Sequence, residues 1–319
     1  MKKKTAMKLV GTAALTTGAL CIAEAAAAKY VYNNMISRRR NRQTHIDLGD
    51  GLTHVQSMHM MNEKEIYLSW IEKNKKQKAT LWNKEGYHLV ADVYTNTKAT
   101  HKWVLLCHGY LGSKEDMVCH ARHFVENGYH CLAPDARGHG QSSGNYIGMG
   151  WKDRLDVIEW IKYIINLDKD AEIILFGISL GASAIMMASG ETLPENVKAI
   201  IEDGGYTSVY DEISYQIRHT MKVPASIVSE SVGYLIRHKN HYCIHQASAL
   251  EQIKKSSLPM FFIHGDADTF APTKMAYKLY DACPNYKDIY IVKNSAHGNN
   301  IFADPTLYFK EIFTFLKNI

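Results

Sequence analysis

From Leu81 onward, short apolar runs alternate with stretches whose apolar residues recur every three or four positions. The runs Tyr87–Tyr94, Trp103–Cys107, Tyr129–Ala133, Glu172–Phe176, Val197–Glu202, Pro259–His264 and Asp288–Val292 predict strands. The near-continuous ones suit strands buried on both faces. Helical spacing predicts helices over Glu115–Asn127, Asp153–Ile165, Leu180–Ser189, Pro272–Ala282 and Thr306–Lys317. Leu155, Ile158, Ile161 and Ile165 are the clearest such stripe, and Gly128 marks a helix end. Strands joined by helices imply an α/β fold, a mostly parallel sheet covered by helices on both faces. The alternation breaks over about 206–257, where Val209–Met221 and Ala225–Arg237 look helical and no strand stands out. That stretch reads as a helical lid inserted between two strands of a domain spanning 81–319.

Ahead of the domain the pattern changes. Residues 41–80 read as a linker followed by a short surface helix, Glu63–Lys78. In residues 1–40, four lysines precede an uncharged stretch from Leu9 to Ala28 broken only by Glu24, and Lys29 and Arg38–Arg40 follow. An uncleaved membrane-spanning anchor with Tyr30 and Tyr32 at the interface is the preferred reading. A cleaved signal peptide, with a secreted product, is the alternative, since Ala23-Glu24-Ala25 resembles a cleavage site. An Ala-rich amphipathic helix packed on the protein is the third. The first places the chain at a bacterial cell membrane.

Composition narrows the function classes. Hydrophobic residues make up 46% of 319, enough for a large core. The net charge of +5 is mild, and no aromatic-interleaved basic stripe appears, so no nucleic-acid partner is expected. The six cysteines include no C-x-x-C pair and read as structural free thiols.

The candidate chemistry begins at Gly177-Ile178-Ser179-Leu180-Gly181, which follows an apolar run and opens a small-residue helix. A bare Gly-x-Ser-x-Gly arises by chance in about one chain in ten of this size. The strand before and the helix after give it weight. A nucleophilic serine must sit on a very tight turn, and glycines two before and two after leave room for the backbone. The following helix points its N-terminus at developing negative charge.

A serine hydroxyl needs a base, and the base needs an orienting carboxylate. In strand–turn–helix sites of this kind the acid and then the histidine follow the serine in the chain. His264-Gly265-Asp266-Ala267-Asp268 and Asn294-Ser295-Ala296-His297-Gly298 each follow a strand. Asp268 is the expected acid and His297 the expected base. Asp266 is expected to brace the turn. The oxyanion hole needs two backbone N–H donors, expected from Leu180 and Tyr110. His108 reads as structural. Asp135 and Arg137 are a candidate pair, and Tyr110, Tyr206 and His139 are candidate substrate contacts. No metal or organic cofactor is required.

Taken together, His108-Gly109-Tyr110, Asp135-x-Arg137-Gly138-His139-Gly140, Gly177-x-Ser179-x-Gly181, Asp203-Gly204-Gly205-Tyr206, Asp268 and His297 resemble the α/β-hydrolase superfamily. The nearer likeness is to bacterial serine-aminopeptidase-like or dienelactone-hydrolase-like enzymes, many of which carry an N-terminal membrane segment. The resemblance runs from about Leu81 to Ile319. It implies an α/β-hydrolase fold and a serine hydrolase that cleaves small-molecule carboxylic esters through an acyl-enzyme. Peptide, amide or thioester cleavage by the same three residues is the alternative, and a non-catalytic membrane-tethered binding protein is the rival from another class. The lid tyrosines, Tyr210, Tyr215, Tyr234 and Tyr242, are expected to shape an aromatic pocket.

Overall fold

The computed structural model describes residues 21–38, 52–74, 76–221 and 224–319. Eight strands form one sheet in the order β1-β2-β4-β3-β5-β6-β7-β8. They are β1 (Gln77–Trp82), β2 (His88–Tyr94), β3 (Lys102–Cys107), β4 (His130–Pro134), β5 (Glu172–Ile178), β6 (Val197–Asp203), β7 (Met260–Gly265) and β8 (Lys287–Val292). The first two pair antiparallel, β2 pairs antiparallel with β4, and every other pairing is parallel. This is the expected mostly parallel sheet. β1 was not expected: its residues alternate Lys and Thr with Ala and Leu at an exposed edge, so no apolar run announces it.

Side chains alternate across the sheet with period two. Trp103, Leu105 and Cys107 join one apolar layer, while Val104 and Leu106 join the other. The first layer is completed by α4 (Asp153–Leu167) and α5 (Leu180–Ala188). The second is completed by α3 (Val118–Glu126) and α11 (Pro305–Lys317). From β3 the chain moves outward to β4, then returns past β3 to β5. Such a reversal opens a crevice at the C-terminal ends of the two strands flanking it, where ligands bind in open α/β sheets. Between β6 and β7 lie α6 (Val209–Gln216), a π-helical turn Ile217–Met221, α7 (Ala225–Asn240) and α8 (Ala249–Ile253). The remaining helices are α9 (Lys274–Ala282) and α10 (Asn300–Ala303).

The N-terminal expectation needs correction. Among the described residues, no helix is long and apolar enough to cross a membrane. The membrane anchor and the cell-membrane location drawn from it are therefore not supported; the part of that stretch from residue 9 to 20 lies outside the described residues. Residues 21–31 form a helix, α1, that runs into a π-helical turn at Tyr32–Ile36. Ala28, Val31, Tyr32 and Ile36 are buried in the same apolar layer as α4 and α5. Their spacing is that of a helix laid on a core. Tyr30, expected at a bilayer interface, is simply exposed.

The linker region also differs. α2 (His54–Lys73) is twenty residues long, started by a capping box in which Thr53 Oγ accepts from Gln56 N–H and Gln56 bonds back. Its buried line is Gln56, Glu63 and Trp70. Two of those three are polar and are satisfied by the domain: Gln56 donates to Asn294 O at 2.9 Å, and Glu63 pairs with Arg122 at 2.6 Å.

Candidate active site

β5 delivers Ser179 into a backbone conformation of φ 55° and ψ −113°. Non-glycine residues rarely adopt it, and such strain costs about 1–3 kcal/mol. The surroundings enforce it. Ser179 N–H donates to Asp203 O at 2.7 Å. A Cβ at Gly177 would stand 2.5 Å from the Gly181 carbonyl carbon, and one at Gly181 would stand 2.2 Å from Cys107 O. Only glycine fits at either place, so the turn closes as tightly as the motif implied. α5 starts at Leu180, whose N–H belongs to the first helical turn and has no carbonyl partner within the helix.

The loops after β7 and β8 bring Asp268 and His297 to this serine. His297 Nε2 lies 2.7 Å from Ser179 Oγ, and His297 Nδ1 lies 2.6 Å from Asp268 Oδ2. A carboxylate only accepts, so Nδ1 carries the proton and Nε2 accepts from the serine hydroxyl. Phe270 stacks on the His297 ring with centroids 4.7 Å apart. Asp266 accepts from Asn294 N–H at 2.6 Å and ties the two loops together, leaving Asp268 on the imidazole.

Asp268 is buried and saturated with donors. Oδ1 accepts the N–H groups of Phe270 and Ala271, each at 2.8 Å. Oδ2 faces His297 and, at 3.2 Å, His264 Nε2. Burial alone would raise the Asp268 pKa; the hydrogen bonds and charges of the two histidines outweigh it and hold the carboxyl well below its usual range. His264 was read only as part of the loop motif. It is fully buried, and its Nε2–H donates to Ala271 O at 2.7 Å. Burial lowers its pKa, but the Asp268 bond and the nearby Glu202 carboxylate raise it to about 9. Glu202 is itself fully buried, and burial pushes its carboxyl up to about 7. Their part could not be read from one-dimensional spacing: Glu202 lies on β6 and His264 on β7, and only the sheet brings Glu202 near His264, which in turn meets Asp268.

On the other side of the serine, Gly109 packs so closely that a Cβ there would lie 3.4 Å from Ser179 Cβ. Tyr110 follows, and its hydroxyl donates to Asn34 O and Met35 O at 3.0 and 3.1 Å. His108 is structural, with Nε2 accepting from Ala136 N–H and Nδ1 facing Gly109 O.

Three expectations for the surroundings are corrected. His139 is buried and both its nitrogens meet backbone: Nε2 accepts from Leu111 N–H and Nδ1 faces Arg137 O. It braces two loops and has no nitrogen left for a substrate. Burial pushes its pKa down to about 3, consistent with a neutral ring. Tyr206 is packed in the apolar layer beneath the site. Asp135 and Arg137 do not pair. Asp135 binds Lys114 at 3.0 Å, and Arg137 clamps Asp156 with two bonds of 2.7 Å.

A cavity of about 110 Å³ opens beside Ser179, lined mainly by the loop at Gly109–Gly112, by Met117 and His120, and by Ile301 and Phe302. None of the lid tyrosines lines it: Tyr242 is buried in the core, Tyr234 is exposed, Tyr215 bonds Thr269 O and Tyr210 packs on His245. The pocket wall comes instead from α3 and α10. A larger cleft at Lys102, Glu172 and Lys198 lies at the opposite sheet edge, where these strands begin.

Residues 102–222 match the family model described as the alpha/beta hydrolase fold. An uncharacterised Bacillus subtilis protein, YqkD, is 23% identical over 74% of this chain and 75% of its own length. A monoacylglycerol lipase of Mycolicibacterium smegmatis is 23% identical over 69% of this chain and 89% of its own. Among solved structures, a Pyrococcus furiosus esterase superposes with a TM-score of 0.63 at 20% identity, covering 77% of this chain and 92% of that one. The family model and the solved structures agree that the chain has the α/β-hydrolase fold.

Proposed function

Starting from an α/β-hydrolase fold, we propose that this chain is a serine hydrolase that cleaves carboxylic esters through an acyl-enzyme on Ser179. What carries the reading is the unbroken hydrogen-bond line Ser179 Oγ–His297–Asp268, 2.7 and 2.6 Å long, built on a strained turn. Ser179 Oγ attacks the acyl carbonyl while His297 Nε2 takes its proton. Asp268 holds the ring and balances the imidazolium charge. The tetrahedral oxyanion rests on the backbone N–H groups of Leu180 and Tyr110. Collapse expels the alcohol, protonated by His297. Water, deprotonated by the same nitrogen, then attacks the acyl-enzyme and releases the carboxylic acid and free Ser179.

The cavity favours a short acyl group. An acyl chain of about four carbons fills its volume of about 110 Å³. The names of similar proteins, a monoacylglycerol lipase and an esterase, support ester cleavage as the reaction class.

The test is a panel of p-nitrophenyl esters, acyl-thioesters and aminoacyl anilides with a fluorophosphonate label on the full chain. Ester turnover greatest near four acyl carbons, with labelling lost in Ser179→Ala, supports the proposal. A folded wild-type chain that takes no label refutes it.

A further inference from the structure

The family model begins at residue 102, yet a segment far ahead of it reaches the serine's neighbours. Residues 21–38 run from the lid to the loop that follows β3. At the lid end, Tyr32 donates to Asn240 Oδ1 at 3.0 Å, Lys239 lies over the Tyr32 ring, and Ser231 bonds Glu24. At the site end, the carbonyls of Asn34 and Met35 receive the Tyr110 hydroxyl. Ile36 O accepts Ile147 N–H at 2.8 Å, and Ser37 bridges to Tyr146. Arg38 then spreads its guanidinium over three carbonyls of the loop after β4: Ser142 at 3.0, Gly144 at 3.1 and Gly140 at 3.2 Å.

The loop that receives this bracing needs it. Leu111, next to Tyr110, sits at φ 58°, a left-handed conformation unfavourable for leucine. Such a backbone persists only where its surroundings over-determine it. Within the domain, Leu111 N–H is held by His139, which itself hangs on Arg137 O in the loop that leads to the Arg38 carbonyls. The Tyr110 hydroxyl supplies the other hold, on the N-terminal segment. Backbone N–H groups stabilise an oxyanion only when aimed at the place the oxygen will occupy, and loss of one such donor costs about 10²–10³ in kcat.

We propose that residues 21–38 are a strap that aims the Tyr110 backbone N–H at the reacting carbonyl, with the Tyr110 hydroxyl and Arg38 as positioning residues. The proposal rests on the oxyanion role given to Tyr110 above. Its chemistry is positional: no bond is made or broken by the strap, and binding of the ground-state ester does not depend on it. The strap also joins the lid helix α7 to the oxyanion loop, so both ends of the site share one support.

The test uses the full chain with p-nitrophenyl butyrate. Tyr110→Phe removes the hydroxyl and keeps the ring; Arg38→Met removes the three carbonyl bonds. Each is expected to lower kcat by about tenfold while KM stays within about twofold, because the loss is felt in the transition state. The double variant is expected to fall little further than the worse single one, since both act through one strap. Thermal midpoints check folding, and should Tyr110→Phe fail to fold, Arg38→Met carries the test. Wild-type kcat in either folded variant, or a rise in KM with unchanged kcat, overturns the strap. If the wild-type chain takes no fluorophosphonate and turns over no ester, the hydrolase reading fails and the strap falls with it; labelled wild type with an indifferent Tyr110→Phe sinks the strap alone.

Discussion

The two flanks of Ser179 are built from different materials. On the Asp268 side, side chains and charge do the work: one carboxylate takes four donors, two of them imidazoles, within about thirty residues of chain. On the Tyr110 side the parts are backbone, a strained Leu111 and a segment from the far N-terminus. A base needs its ring held in one tautomer and orientation, which a hydrogen-bonded carboxylate accomplishes. An oxyanion hole needs N–H groups held at one point in space, which packing accomplishes. The contrast predicts that the first flank is sensitive to the chemical identity of its groups and the second to their placement.

The largest expected effect tests the charged flank. Asp268→Asn keeps the shape and removes the charge, and should cost on the order of 10⁴ in kcat for p-nitrophenyl butyrate, with an unchanged circular dichroism spectrum. A loss under tenfold would show that charge there is dispensable.

Next comes His264→Leu, which removes one partner from a buried charged cluster and should destabilise the fold by about 3–5 kcal/mol in urea titrations. The sign with pH is fixed. His264 is raised to about 9, above its unfolded value, so its contribution is complete below pH about 6.5 and is lost as pH rises through about 9. The gap between wild type and variant should therefore narrow at alkaline pH. A constant gap would mean that His264 contributes packing alone.

Glu212 is a smaller test of the same flank. It is buried, one carboxyl oxygen has no hydrogen-bond partner, and burial pushes its pKa up to about 7. The folded state thus prefers the protonated acid. Wild type should lose stability as pH rises from about 4.5 to about 7, whereas Glu212→Gln should not. The variant's advantage is expected to open across that window to about 1–3 kcal/mol. An advantage that shrinks with pH would reverse the assignment.

The smallest effect probes placement where charge is said to dominate. Gly204 sits at φ 68°, and a Cβ there would lie 3.6 Å from His297 Cε1, an ordinary contact. Gly204→Ala should cost about 1 kcal/mol of backbone strain and leave kcat within about threefold. A collapse in kcat would show that the imidazole flank depends on placement as much as the oxyanion flank does.

This contrast also separates what could be read from the chain and what could not. Ser179, Asp268 and His297 stand at the ends of apolar strands, in loops rich in glycine, and their order and flanks single them out. The parallel strands were legible for the same reason, because burial on both faces leaves runs such as Val104-Leu105-Leu106. α2 was not legible in full, because its inward line is Gln56, Glu63 and Trp70, and polar groups satisfied by distant partners leave no apolar period. β1 lay hidden behind its exposed lysines. Residues 21–36 misled because alanine-rich apolar sequence suits a bilayer and a protein groove equally, and only the groove's shape decides between them. His264, Glu202 and the α3–α10 cavity wall are products of tertiary adjacency, which spacing along one chain does not encode.

Ile36 has no exposed surface, and Ala28 and Val31 have almost none. A recombinant protein trimmed to start at residue 41, a natural cut for anyone who took the leading segment for a leader, would leave a greasy furrow open to water. Such a preparation would be sticky and self-associating, and its feeble turnover would be blamed on the wrong substrate.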